Sequence, residues 1–180
     1  MAKNEVILGS GKLYIVDFEE LTGVPENAQF ETEANSVGSI KGGASLSYEG
    51  EIYEIADDEG LVLSRFVSKE EVIFKTGILS WDLKNLERLS MTGTITEEVG
   101  KTILKIGGQT GDLKKYALRF VHTLNSGKKV RVTLIATANS GFELSFNPEE
   151  ETVLDAEFKA LQASANDMTL VTIEQETDEE

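Results

Sequence analysis

Along most of this chain, apolar positions recur every second residue rather than every third or fourth. That is the signature of strands with one dry face and one wet face. GKLYIVDF, residues 11–18, sets the pattern, with Leu13 and Ile15 alternating with Tyr14 and Val16. In SLSYEGEIYEIADDEG, residues 45–60, Leu46, Tyr48 and Ile52 take one side and Ser47, Glu49 and Glu51 the other. The phase changes near Tyr53, because Ile55 falls on the side opposite Ile52, so a bulge or strand end is expected there. The pattern predicts strands over 44–56 and 60–67 joined at ADDEG, where Asp-Asp and Gly supply turn chemistry. A third strand, EVIFKTG, ends at Gly77.

The period then switches. SWDLKNLERLSM, residues 80–91, places Leu83, Leu86 and Leu89 at helical spacing with Trp81 beside them, and Lys84, Glu87 and Arg88 fill the outer face. Ser80 is the predicted N-cap, and Asp82 suits the positive end of the helix dipole. Such a helix covers one face or end of a sheet, with Trp81 expected in the core.

Alternation returns in MTGTITEEV and KTILKIGG, a hairpin about Val99-Gly100, and again in YALRFVHTL and KKVRVTLIATA, joined through Ser126-Gly127. TVLDAEFKA, residues 152–160, sets Leu154, Ala156, Phe158 and Ala160 against Asp155, Glu157 and Lys159. A last strand, MTLVTIE, runs into an acidic tail over 174–180. The expectation is a single domain over 1–180, mainly β, with about nine strands in an antiparallel sandwich or partly rolled barrel and one flanking helix.

One long stretch has no period. From Glu19 to Gly43 the chain is polar and acidic, and a loop of about 25 residues inside a compact domain is unusual. Its composition predicts an extended arm over 18–40, mobile in the free subunit and ordered only against a partner. Glu20, Leu21, Val24, Pro25, Phe30 and Val37 are the candidate contacts.

Charge sharpens this picture. The net charge is −15, and no Lys or Arg occurs from Gly42 to Ser64. A surface of this sign argues against a nucleic-acid reader, whose affinity comes mainly from neutralising phosphates. With no cysteine, disulfides and thiolate metal ligands are excluded. No apolar run approaches the roughly 20 residues that cross a bilayer. The start, MAKNEVILGSGK, lacks the apolar segment of a secretory signal, so a cytoplasmic site of synthesis is expected.

Catalytic chemistry finds little support. His122 is the single histidine and sits mid-strand, without a companion nucleophile motif. GSGKL at 9–13 lacks the leading Gly and trailing Ser or Thr of a phosphate loop. ADDEG lacks the alternating spacing of an EF-hand loop. Glu49 with Glu51, and Asp155 with Glu157, share strand faces two residues apart, as solvated strands commonly do. Neither an enzyme nor a cofactor is expected.

The order of motifs resembles a known family. A leading strand and polar arm precede IKGGASLSYEGEIYEIADDEG. RFVSKEEVIFKTGILSWDLKNLERL and YALRFVHTLNSGKKVRVTLIATANSGFELSFNPEEETVLDAEFKAL follow, then a final strand. This order is similar to that of the tail tube (major tail) proteins of long-tailed bacteriophages, relatives of the inner-tube proteins of phage-tail-like bacteriocins. The resemblance covers roughly residues 8–174 and rests on element order and on phrases such as KTGILSWDL and ETVLDAEFKAL. It implies a virion subunit, assembled in the host cytoplasm, that forms hexameric rings stacked into a tube. Implied partners are copies of the chain, tip, terminator and tape-measure proteins, and DNA that passes through the lumen without specific binding. On that reading an acidic lumen repels the DNA backbone, and either Glu49 and Glu51 or Asp155 and Glu157 line it. The arm over 18–40 would bridge rings or subunits. The competing expectation is a monomeric β-sandwich module that binds carbohydrate or calcium. It requires an exposed aromatic platform or a cation loop.

Overall fold

The computed structural model describes residues 11–18, 23–108, 112–164 and 167–177. Among these, nine strands and two short helices form one main antiparallel sheet with a small satellite. The main sheet is ordered β1 (Lys12–Asp17), β6 (Tyr116–Thr123), β7 (Lys129–Ala138), β8 (Leu154–Ala160), β3 (Val62–Ile78) and β2 (Ile40–Ala56). The short β9 (Thr172–Gln175) also pairs with β7. β4 (Thr94–Glu98) and β5 (Lys101–Lys105) make the satellite hairpin. The chain is mainly β, as the alternation predicts, and no closed barrel forms.

Both faces of the sheet are covered, though unequally. One face carries the larger core, where Leu13, Ile15, Phe74, Ile78, Leu118, Leu134 and Phe158 lie under Leu86 and Leu89 of α2 (Leu83–Leu89). Burying each such side chain stabilises the fold by about 1.5–3 kcal/mol. The opposite face has a smaller core of Tyr14, Ala117, Val121 and Ile135, roofed by Phe30.

That roof corrects the reading of residues 18–40. Residues 23–40 are packed against their own sheet. They contain α1 (Asn27–Phe30) and a single 3-10 turn (Glu33–Asn35), and Phe30 and Val37 are 0% and 2% exposed. The Val37 amide donates to Leu13 O at 3.0 Å, the Asn35 side chain donates to Gln29 O and Phe30 O at 3.1 Å, and Arg119 stacks 4.5 Å from the Phe30 ring centroid. Val24 and Pro25 are half-buried, whereas Glu20 and Leu21 lie outside the described residues. Isolated apolar residues without a period looked like a solvated arm, yet they fill the core one at a time. Phe30→Ala is therefore expected to destabilise the chain by about 3–5 kcal/mol in urea unfolding, as buried Phe truncations do. An arm ordered only by a partner would lose almost nothing.

The helix is shorter than predicted and differently set. Ser80 does not cap it, because its hydroxyl accepts the Ser39 amide at 2.7 Å and so ties the chain back to the foot of β2. Asp82 is the N-cap instead, extended at φ −152° and accepting from the Lys84 amide at 3.0 Å. Gly38 makes this close approach possible, since at its φ of +84° a Cβ would sit 2.6 Å from Ser80 Cβ. Leu86 and Leu89 are buried and Leu83 half-buried, but two residues trade places with expectation. Trp81 precedes the helix and is 59% exposed, while Arg88 is 4% exposed and donates to Ile15 O at 2.8 Å. The helix turns Arg88 inward to reach the Ile15 carbonyl of β1, while Trp81, ahead of the N-cap, stays in water beside Phe146.

Candidate assembly surface

β2 and β3 are 17 residues each and pair from Ile40–Ile78 to Ala56–Val62. The two strands predicted over 60–67 and 71–77 are thus one. β8 pairs with β3 only over Ile73–Ile78, so beyond Val72 the hairpin has no strand partner on that side among the described residues. At about 3.3 Å per residue the part of β3 beyond Val72, Val62 to Glu71, extends roughly 33 Å. Register shifts between Glu51 and Ile52 and between Ile55 and Ala56 occur where the phase change predicts a bulge.

The distal hairpin is apolar on both sides. Ile52 lies opposite Val67, and the next pair, Tyr53 and Phe66, points to the other face with ring centroids 5.2 Å apart. Tyr48, Ile52, Tyr53, Leu63, Phe66 and Val67 are all exposed. Tyr48 and Ile52 were expected to face a core but are 60% and 64% exposed; Tyr48 lines an open groove with Glu70, Gln162 and Leu170, and its hydroxyl donates to Glu70 at 2.8 Å. A lone two-stranded hairpin is marginal in water, and a contiguous exposed apolar patch marks an interaction surface. At the tip, Asp57 Oδ1 accepts from the Glu59 and Leu61 amides at 3.0 and 2.8 Å, so this carboxylate closes the turn.

Nearer the body, the register gathers both candidate acid pairs on one solvated face. Lys75 stands opposite Glu157, Glu49 opposite Glu71, and Glu51 opposite Lys69. Asp155, two residues before Glu157, is exposed on the same face. Cross-strand lysines break up the acid. Lys75 reaches Glu157 at 2.7 Å, Lys159 reaches Glu71 at 2.6 Å, and Lys69 reaches Glu51 at 3.3 Å. These lysine bonds hold the Glu157 and Glu71 carboxyls below the usual carboxylate range. The face is therefore a mixed-charge ladder with an acidic excess. The lysines come from β3 and β8, which no local reading of β2 reveals.

Two further features complete the surface. The sheet ends in β2, whose outer edge has no strand partner among the described residues. Trp81 and Phe146, 59% and 81% exposed, form a tilted aromatic pair with centroids 6.1 Å apart at the foot of the hairpin. His122 is buried within β6, and no cluster of three His, Cys, Asp or Glu side chains suited to a metal occurs among the described residues. No described helix is long and apolar enough to cross a membrane. No protein-family model matches the chain, and no curated protein matches it.

Proposed function

We propose that this chain is a non-catalytic structural subunit of a bacteriophage tail. It polymerises into stacked hexameric rings that form the tail tube, a net-negative conduit for genome delivery. The observation that carries the reading is the β2–β3 hairpin, which exposes apolar side chains on both faces and whose long β2 edge has no strand partner among the described residues. A free edge and a two-sided apolar prong are hazards in a monomer and assets in a polymer. Edge-to-edge closure removes the free strand, and a heterologous contact that does not close makes a filament. The resemblance in element order supplies the particular assembly. Within it, the ladder bearing Glu49, Glu51, Asp155 and Glu157 is the face assigned to the bore, where its acidic excess keeps DNA from adhering. Tip, terminator and tape-measure proteins are the partners at the ends and in the lumen.

Negative-stain electron microscopy of the concentrated chain tests this directly. Stacked rings or hollow tubes are the expected result. A monomer at every salt and protein concentration, with the hairpin intact, overturns self-assembly. The exposed Trp81–Phe146 pair supports a second reading, a carbohydrate-binding module, because paired aromatics offer stacking faces to a sugar ring. On that reading Trp81→Ala abolishes retention on a glycan array and leaves the oligomeric state unchanged.

A further inference from the structure

The outer edge of β7 is shared between two strands. β8 covers it at Ala136–Ala138, and β9 covers Val130–Thr133 in the register Val130–Gln175, Arg131–Glu174, Val132–Ile173 and Thr133–Thr172. All four residues of β9 are exposed. What holds it is the ladder and one charged cluster. Arg131 binds Glu174 at 2.9 Å and Glu176 at 2.8 Å, the Glu176 carboxylate accepts from the Lys129 amide at 2.9 Å, and the Glu176 amide donates to Lys129 O at 3.0 Å.

The receiving edge and the connection to it differ in character from the strand. The Arg131 side chain is only 6% exposed. With β9 removed, the edge presents unpaired backbone groups beside the Arg131 guanidinium, which keeps Glu31 as its carboxylate partner. Such an edge is specific for an extended, acidic segment, and this chain carries one. On the way to β9, Asp167 and Met168 both adopt positive φ, 49° and 57°. Two consecutive non-glycine residues in the left-handed region store strain that an opened connection releases. Strained connections of this kind invite exchange of the strand they carry, because the exchanged state rebuilds every contact of the closed one.

We infer that β9 is an exchangeable strand: the Thr172–Gln175 segment of one copy seats on the Val130–Thr133 edge of β7 in a second copy, in its native register. Leu170 and Val171, half-buried against the main core, move with it and anchor it in the recipient. Exchange ties neighbouring copies by a backbone ladder and, apart from Leu170 and Val171 in the groove beside Tyr48 and Val72, leaves the β2–β3 hairpin free. It goes beyond the tube reading and does not depend on it.

The absence of cysteine makes the test clean. Val132→Cys and Ile173→Cys are made as separate variants, unfolded in urea, mixed at high concentration, refolded and oxidised. A covalent dimer on a non-reducing gel is expected from the mixture and from neither variant alone. Val130→Cys with Gln175→Cys is an independent second pair. Met168→Gly, which removes left-handed strain, is expected to lower the dimer yield several-fold. The double variant V132C/I173C at high dilution is expected to close within its own chain, which verifies the register. That internal closure together with no covalent dimer from either mixture overturns the exchange. Covalent dimer without tubes in the same sample counts against the tube and leaves the exchange standing.

Discussion

Replacing Tyr53 and Phe66 together by aspartate is expected to leave a folded monomer that no longer polymerises. Both rings are largely in water already, 56% and 48% exposed, and neither belongs to a buried core cluster. Their loss should change unfolding free energy by about 1 kcal/mol or less, as for surface substitutions elsewhere. Association is a different matter. If the hairpin seats in a neighbouring copy, two aromatic anchors are removed and two charges are placed in a desolvated contact. Each hot-spot aromatic is worth about 2 kcal/mol or more. The pair therefore raises the concentration needed for assembly by roughly a thousandfold. Sedimentation velocity across a concentration series reads this, with circular dichroism confirming the fold. Polymerisation at an unchanged concentration removes the hairpin from the interface and shifts attention to the β2 edge.

Arg131→Met is expected to destabilise the chain by about 3–5 kcal/mol at neutral pH. The guanidinium lies under three carboxylates, of which Glu174 and Glu176 are more than a third exposed and contribute little each. Glu31 is the decisive partner, because its side chain is only 10% exposed and removing Arg131 leaves it buried beside Lys129 alone. Burial by itself raises the Glu31 pKa, but hydrogen bonds from Lys129 and Arg131 more than reverse this and hold the carboxyl below its ordinary value of 4.5. A depressed folded-state pKa contributes stability that is fully present above about 4.5 and lost as pH falls through the folded value. The stability gap between wild type and Arg131→Met should therefore narrow steadily below that pH, as Glu31 takes up a proton and no longer needs a cation. Urea unfolding from pH 7 to 3 measures it. A gap independent of pH would mean that packing of the arginine stem, not its charge, holds this corner.

Much of the architecture was legible locally. Period-two alternation marked β1, β6, β7 and β8, and Leu13, Ile15, Leu118, Leu134, Leu154 and Phe158 are all buried. The turn at Ser126-Gly127 and the phase change near Tyr53 were readable because turn chemistry and strand parity involve only adjacent residues. The candidate site was half legible. The acids were visible in the sequence, but their lysine partners on β3 and β8 were not, since register across strands is not written in either strand alone.

Alternation and turn residues alone determined a mainly antiparallel chain with one amphipathic helix, because both act over a few residues. Which apolar residues stay wet was decided only by tertiary structure. Phe30 and Val37 carry no periodic signal, yet they are buried because the sheet offers them a bare face. Tyr48 and Ile52 carry a strand signal and are exposed because β8 stops pairing with β3 at Ile73 and, among the described residues, no further strand continues the sheet beside the hairpin. Arg88 turned inward and Trp81 outward for the same reason: burial depends on what stands opposite a side chain, and that neighbour comes from a distant part of the chain.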